Sequence, residues 1–209
     1  MVTLLFLSLV MGFVFYSQQR VATSTAMSQA KRGGFGAAFA VLGGALAGDA
    51  VWAAAALLVF AFATQIDALR VIFSIVGSFF FLRLAWGALQ DARQGVVPRN
   101  DVASDQKGFG AGARISFGNP YALGFWVGVA AALVLLITPQ PTPADYVAFL
   151  AGIVVGATLW CVLIAWLAAT RPAALSTGFF RAVNVVCGIL AAALGIAVLW
   201  ATVTQPVVK

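Results

Sequence analysis

Six apolar runs, at residues 2–16, 35–63, 71–89, 115–138, 146–169 and 183–203, decide what this chain can become. All but the first are long enough to cross the ~30 Å hydrocarbon core of a bilayer at about 1.5 Å per helical residue. Backbone in lipid must satisfy its own hydrogen bonds, which leaves helices and closed barrels. These runs are rich in Ala, Leu and Gly and do not alternate with polar residues, so they cannot be barrel strands. An all-α integral membrane protein with six transmembrane helices is expected. Composition agrees, since 63% of the 209 residues are hydrophobic and 9% are charged, against ~25% charged in soluble domains.

The few charges are informative by position. Lys31, Arg32, Arg93, Arg99, Lys107, Arg114, Arg171 and Arg181 fall in the connections after the first, third and fifth runs, whereas the opposite side holds Arg70 and Lys209. Positive-inside bias then predicts a multi-pass protein of the cell (inner) membrane with both termini on the outer, periplasmic face. The net charge of +6 is mostly a topology signal that meets anionic headgroups. No basic cluster with interleaved aromatics points to nucleic acid. Residues 90–114, with Pro98, Asp91, Asp101 and Asp105, read as a solvated cytoplasmic linker.

The two halves resemble each other once their glycines are aligned. Gly44, Gly48 and Trp52 recur at intervals of four, as do Gly152, Gly156 and Trp160. Each triplet lies along one helix face, where small residues let helices approach closely, within one chain or in a homo-oligomer. A repeat of three helices necessarily inverts its second copy in the membrane. The chain thus reads as a single transmembrane domain over residues 1–209, with repeat one at about 1–90, the linker at about 91–114 and repeat two at about 115–205. The position equivalent to Asp49 in the second repeat is Ala157.

Asp49 is the one carboxylate inside a long apolar run. An acid at membrane depth costs roughly 2.5–3.5 kcal/mol on insertion scales, so it faces a partner or cavity and marks a substrate or ion path. Two breakpoints accompany it. At the start of span four, Gly118-Asn119-Pro120 reads either as a plain helix start or as an unwound segment whose freed backbone groups help form a binding site. The first run covers only about 22 Å and is followed by Ser17-Gln18-Gln19-Arg20, so part of this polar group falls at membrane depth. Gln18 and Gln19 supply donors and acceptors there. Arg20 either snorkels to the interface or pairs with Asp49 or a substrate carboxylate. Arg83, inside span three, either snorkels or contacts substrate at a gate. Trp52, Trp126 and Trp160 are expected to pack or anchor at the interface, and Asn184 to hydrogen-bond between helices.

Other chemistries find little support. Cys161 and Cys187 stand in different spans without a Cys-x-x-Cys arrangement. The absence of His and Glu leaves few metal ligands, and no acid pair, activated nucleophile or phosphate loop indicates an enzyme or a cofactor.

The motifs also carry a resemblance. Gly33-Gly34-Phe35, Leu42-Gly43, Gly48-Asp49-Ala50-Val51-Trp52, Gly77, Leu82-Arg83-Leu84-Ala85-Trp86 and Gly118-Asn119-Pro120-Tyr121-Ala122-Leu123-Gly124-Phe125-Trp126 together resemble the LysE/RhtB amino-acid exporter superfamily, most of all its ChpE-like branch. That resemblance implies a six-helix inverted-repeat protein exporting amino acids or related small metabolites along an ion gradient. By position, Asp49 matches the family's span-two acid and Asn119-Pro120 its span-four motif. The chain departs from the family in span one, where Ser17-Gln18-Gln19-Arg20 replaces a Pro-Gly break. Alternating access around a site between spans one and four is therefore expected, with Asp49 taking a substrate ammonium or a coupling proton. The competing expectation is a non-transporting membrane component coupled to a chemosensory or signalling complex.

Overall fold

Every regular element among the described residues is helical. The structure is a computed structural model and describes residues 2–63, 66–98, 107–119, 122, 124–129 and 142–204. Pro120, Arg99, Asp101, Asp105 and Lys209 lie outside the described residues. The helices are α1 (Val2–Ser17), α2 (Arg20–Ala63), α3 (Asp67–Gln94), α4 (Gly108–Phe117), α5 (Pro143–Thr170) and α6 (Thr177–Thr204), with a 3-10 turn at Pro172–Ala174 and a further helical stretch at 124–129. By length and composition, Arg20–Val59, Val71–Gln94, Pro143–Thr170 and Thr177–Thr204 can cross a membrane.

The 44 residues of α2 are two helices run together. At Gly33 (φ −140°, ψ 17°) and Gly34 (φ 65°, ψ −152°) the backbone leaves the helical region. Gly34 occupies a conformation that only glycine adopts without strain. The kink separates a short helix over residues 20–32 from the long apolar one that carries Asp49. Along the short helix Ala22, Thr23, Ser24, Thr25, Ala26 and Gln29 are all buried, before Lys31 and Arg32 emerge exposed. The polar stretch after the first run is therefore an interior helix.

Helix ends follow local chemistry. Gly95 ends α3 in the left-handed conformation (φ 64°, ψ 37°), donating its N–H to the Asp91 carbonyl. A capping box starts α5: the Asp145 carboxylate accepts from the Thr142 N–H at 2.9 Å, the Thr142 hydroxyl accepts from the Asp145 N–H, and Pro143 occupies the first turn. The connection expected at 90–114 is shorter than its composition suggested. Helix α3 runs on to Gln94 and α4 already begins at Gly108, with Ala111 and Gly112 buried.

The glycine stripes lie where backbones touch. A Cβ at Gly44 would strike the Phe109 carbonyl of α4, and one at Gly48 would stand 2.8 Å from the Ser116 side chain. A Cβ at Gly152 would strike Ser8 of α1, and one at Gly156 the Leu9 carbonyl. Thus α2 lies on α4, α5 lies on α1, and α3 runs along α6. Between lipid-embedded helices, close van der Waals contact of this kind replaces the hydrophobic driving force of a soluble core.

Candidate functional site

Both breakpoints are real turns, and they are built alike. At the first, the N–H groups of Gln18 and Gln19 bond back three residues to the carbonyls of Phe15 and Tyr16 at 3.1 and 3.2 Å. The Gln19 carbonyl then accepts from the Thr23 N–H at 3.0 Å, opening the next helix. At the second, the Asn119 N–H bonds back three residues to Ser116 at 3.0 Å, and its carbonyl accepts from the Ala122 N–H at 3.1 Å. Helix α4 ends at Gly118 with its backbone still near helical (φ −79°, ψ −1°). In each turn an amide residue follows the end of a helix, and the residue three positions earlier faces inward.

Those inward residues converge on Asp49, which is 1% exposed. The Tyr16 hydroxyl donates to Asp49 Oδ2 at 2.8 Å, and the Ser116 hydroxyl donates to Oδ1 at 2.6 Å. The Gln19 amide nitrogen also donates to Oδ2. One carboxylate thus joins the first break, the second break and α2. Three neutral donors satisfy most of its acceptor capacity. No cation lies within ion-pair distance of it among the described residues.

The residues singled out by sequence divide into two groups. Asp49 and Gln19 form the site directly, and Asn119 makes the turn that positions Ser116. Arg20 does not reach Asp49: its guanidinium pairs with Asp91 on α3 at 3.2 Å, because the new helix begins at Arg20 and turns that side chain away from the break. Gln18 faces α6, where its amide donates to Asn184 Oδ1 at 3.2 Å, the interhelical bond expected of Asn184. Arg83 lies exposed on α3. Gly44, Gly48, Gly152 and Gly156 are contact positions, and Gly48 packs directly on Ser116.

Tyr16 and Ser116 were not singled out from sequence. The available signal was their equivalent register, each three residues before the amide residue of a break. Aromatic rings brace both flanks. Phe15 stacks on Phe125 with centroids 3.9 Å apart and meets Trp126 edge-on at 5.3 Å, while Phe13 meets Trp160 edge-on at 5.4 Å. Trp52 lies 6.4 Å from Phe117. The buried indole nitrogens of Trp52, Trp126 and Trp160 have no hydrogen-bond partner among the described residues, as fits rings held by their faces and edges. Cys161 and Cys187 are buried free thiols.

The arrangement is a buried acid at the meeting point of interrupted helices, suited to binding and releasing a small positive charge. Comparison with known proteins agrees with a transport fold. The family model described as LysE type translocator matches residues 21–202. The chain is similar to the chemotactic transduction protein ChpE of Pseudomonas aeruginosa, 28% identical over 172 residues that span 80% of this chain and 85% of that protein. No solved structure gives a significant match. With that family model matching residues 21–202, this chain belongs to the LysE-type translocator family of membrane exporters.

Proposed function

We propose that the protein is a secondary-active exporter of amino acids or related small metabolites, driven by an ion gradient and working by alternating access around Asp49. The observation that carries this reading is the capture of one buried carboxylate by donors from two separate helix breaks. Its three partners are neutral, so a positive charge is what the site lacks. A substrate ammonium or a coupling proton supplies it. Either one changes which donors Asp49 can hold, since protonation turns one acceptor oxygen into a donor. That exchange loosens the bridge between the two breaks, and binding is thereby linked to movement of the helices that meet there.

The reading includes six spans in two inverted repeats, with spans one and four each made of two shorter helices joined at a break. Supporting it, the helix contacts are exchanged consistently between halves: α5 lies on α1 as α2 lies on α4, and the Gln19 and Asn119 turns occupy corresponding places. The basic ends, with Lys31, Arg32, Arg93 and Lys107, are placed on the cytoplasmic side of the inner membrane. Arg20 and Asp91 then lie on the cytoplasmic side of the break.

Efflux of labelled amino acids from proteoliposomes or cells, with and without a pH gradient, tests the proposal. Wild-type protein is expected to export at least one of them, and Asp49→Asn, which keeps the shape and removes the charge, is expected to lose gradient-dependent export. Equal export by the two proteins across a pH range refutes the role of Asp49. The name of the Pseudomonas relative favours a second reading, a non-transporting component of a signalling complex. Deletion of the gene separates the two, because only an exporter leaves an amino acid accumulating in the cytoplasm.

A further inference from the structure

Helices α3 and α6 are fastened to each other along their length. A Cβ at Gly195 would stand 3.0 Å from Leu82, and one at Gly188 would stand 2.8 Å from Leu89. Near their charged end the Arg181 Nε donates to the Ala92 carbonyl at 3.1 Å, and Gly95 closes on Thr177. Contacts between this pair and the rest of the bundle change in character along α3. At its middle, Gly77 lies backbone to backbone on Gly128, where an added Cβ would stand 2.5 Å from the Gly128 Cα. About 21 Å further along α3, at 1.5 Å per residue, the contact is polar. There Arg20 pairs with Asp91 at 3.2 Å, the one ion pair among the described residues. Ser17 Oγ lies 3.0 Å from Cys187 Sγ. The Gln18 amide donates to Asn184 Oδ1 at 3.2 Å and also engages the Cys187 thiol. Ser17, Gln18 and Arg20 therefore reach α3 and α6, while Gln19, among them, holds Asp49.

We propose that α3 and α6 swing together as the gate on this end of the molecule, pivoting where Gly77 meets Gly128 and latched to the first break through Asp91, Asn184 and Cys187. The inference rests on the reading above, in which the protein works by alternating access and this end is cytoplasmic. Two glycines in contact have no side chains to interdigitate, so the helices can tilt there without unpacking a core. The latch is suited to release. Arg20 is half exposed, and a partly exposed ion pair and neutral hydrogen bonds are each exchanged for water at small net cost. Gln19 shares its turn with all three latch residues of the first break. A change at Asp49 that frees Gln19 therefore shifts the latch as well, and occupancy of the buried acid is tied to opening of one side.

The native Cys187 supplies the test. Ser17→Cys sets a second thiol within reach of a disulfide, whose sulfurs stand about 2.05 Å apart. Oxidation by copper phenanthroline in proteoliposomes is expected to join α1 to α6 and to lower efflux of a mixture of labelled standard amino acids about tenfold or more, with recovery on reduction. Ser17→Cys combined with Cys187→Ser is expected to ignore the oxidant. The cross-link is expected to form severalfold more slowly during gradient-driven efflux than at rest, because the latch then spends time open. If Ser17→Cys does not fold, as judged by monodisperse elution in detergent, a short bis-maleimide across Arg20→Cys and Asp91→Cys carries the same expectations. A cross-link that forms in full while efflux continues at the reduced protein's rate overturns the gate, as does one that forms equally fast at rest and during efflux. Thiols that fail to join in folded protein overturn the latch. A well-folded, reduced wild type that exports none of the amino acids overturns the reading on which the gate rests.

Discussion

Replacing Gly48 with Ala adds a methyl group where Ser116 already stands. An ideal Cβ at position 48 lies 2.8 Å from both Cβ and Oγ of Ser116 and 3.4 Å from the Ala113 carbonyl oxygen. Carbon atoms in contact prefer about 3.5–4.0 Å, so the side chain or the helix must shift by roughly 1 Å. Overpacking of this kind costs about 1–3 kcal/mol, against a gain of about 1 kcal/mol for replacing glycine inside a helix. We expect a net loss of up to about 2 kcal/mol, as much as a thirtyfold fall in the folded-to-unfolded ratio, where Gly43→Ala gains about 1 kcal/mol. Because Ser116 donates to Asp49 at 2.6 Å, the same shift pulls one donor from the carboxylate. Unfolding in detergent and amino-acid efflux read the two effects separately. Gly43→Ala is the control, since nothing lies within 4 Å of a Cβ there. Adding Ser116→Gly to Gly48→Ala removes the clashing atoms and is expected to restore stability but not efflux. Gly48→Ala as stable and as active as Gly43→Ala would refute the described contact between α2 and α4.

Tyr16→Phe keeps the ring that meets Phe15 edge-on at 5.8 Å but removes one of the three donors to Asp49; export is expected to fall tenfold or more, the equivalent of one hydrogen bond to a charged group at about 1.5–3 kcal/mol, with the fold retained in detergent. Gly34→Ala forces a side chain into backbone angles of φ 65° and ψ −152°; a loss of about 1–3 kcal/mol is expected in unfolding measurements, although nothing lies within 4 Å of the added methyl.

The sequence made the long spans legible because an 18-residue apolar window leaves a chain few alternatives to a membrane helix. Asp49 stood out for the same reason, as a charge where charge is costly. Boundaries were harder. Pro98 and the three acids suggested linker throughout 90–114, and glycine is a poor helix former, yet α4 starts at Gly108, with Gly112 seated against the backbone of Val41 and Ala45. Tertiary contact overrode propensity there. Tyr16 and Ser116 were invisible for a different reason: a tyrosine ending an apolar run and a serine within one are ordinary, and only the geometry of the turns aims them at one carboxylate. The pairing of Arg20 with Asp91 was likewise set by where the second helix begins, a matter of one or two residues that no periodicity resolves.

The span of chain between Asp49 and its partners also dictates an order of events during synthesis. Tyr16 and Gln19 precede Asp49, so the nascent first half already carries two of its donors when α2 leaves the ribosome. Ser116 follows 67 residues later, roughly 3–13 s at bacterial and eukaryotic elongation rates taken together. During that interval the acid holds only the two donors from the first break. The last donor arrives only with the second half, so the carboxylate has its full set of partners only once α4 is in place.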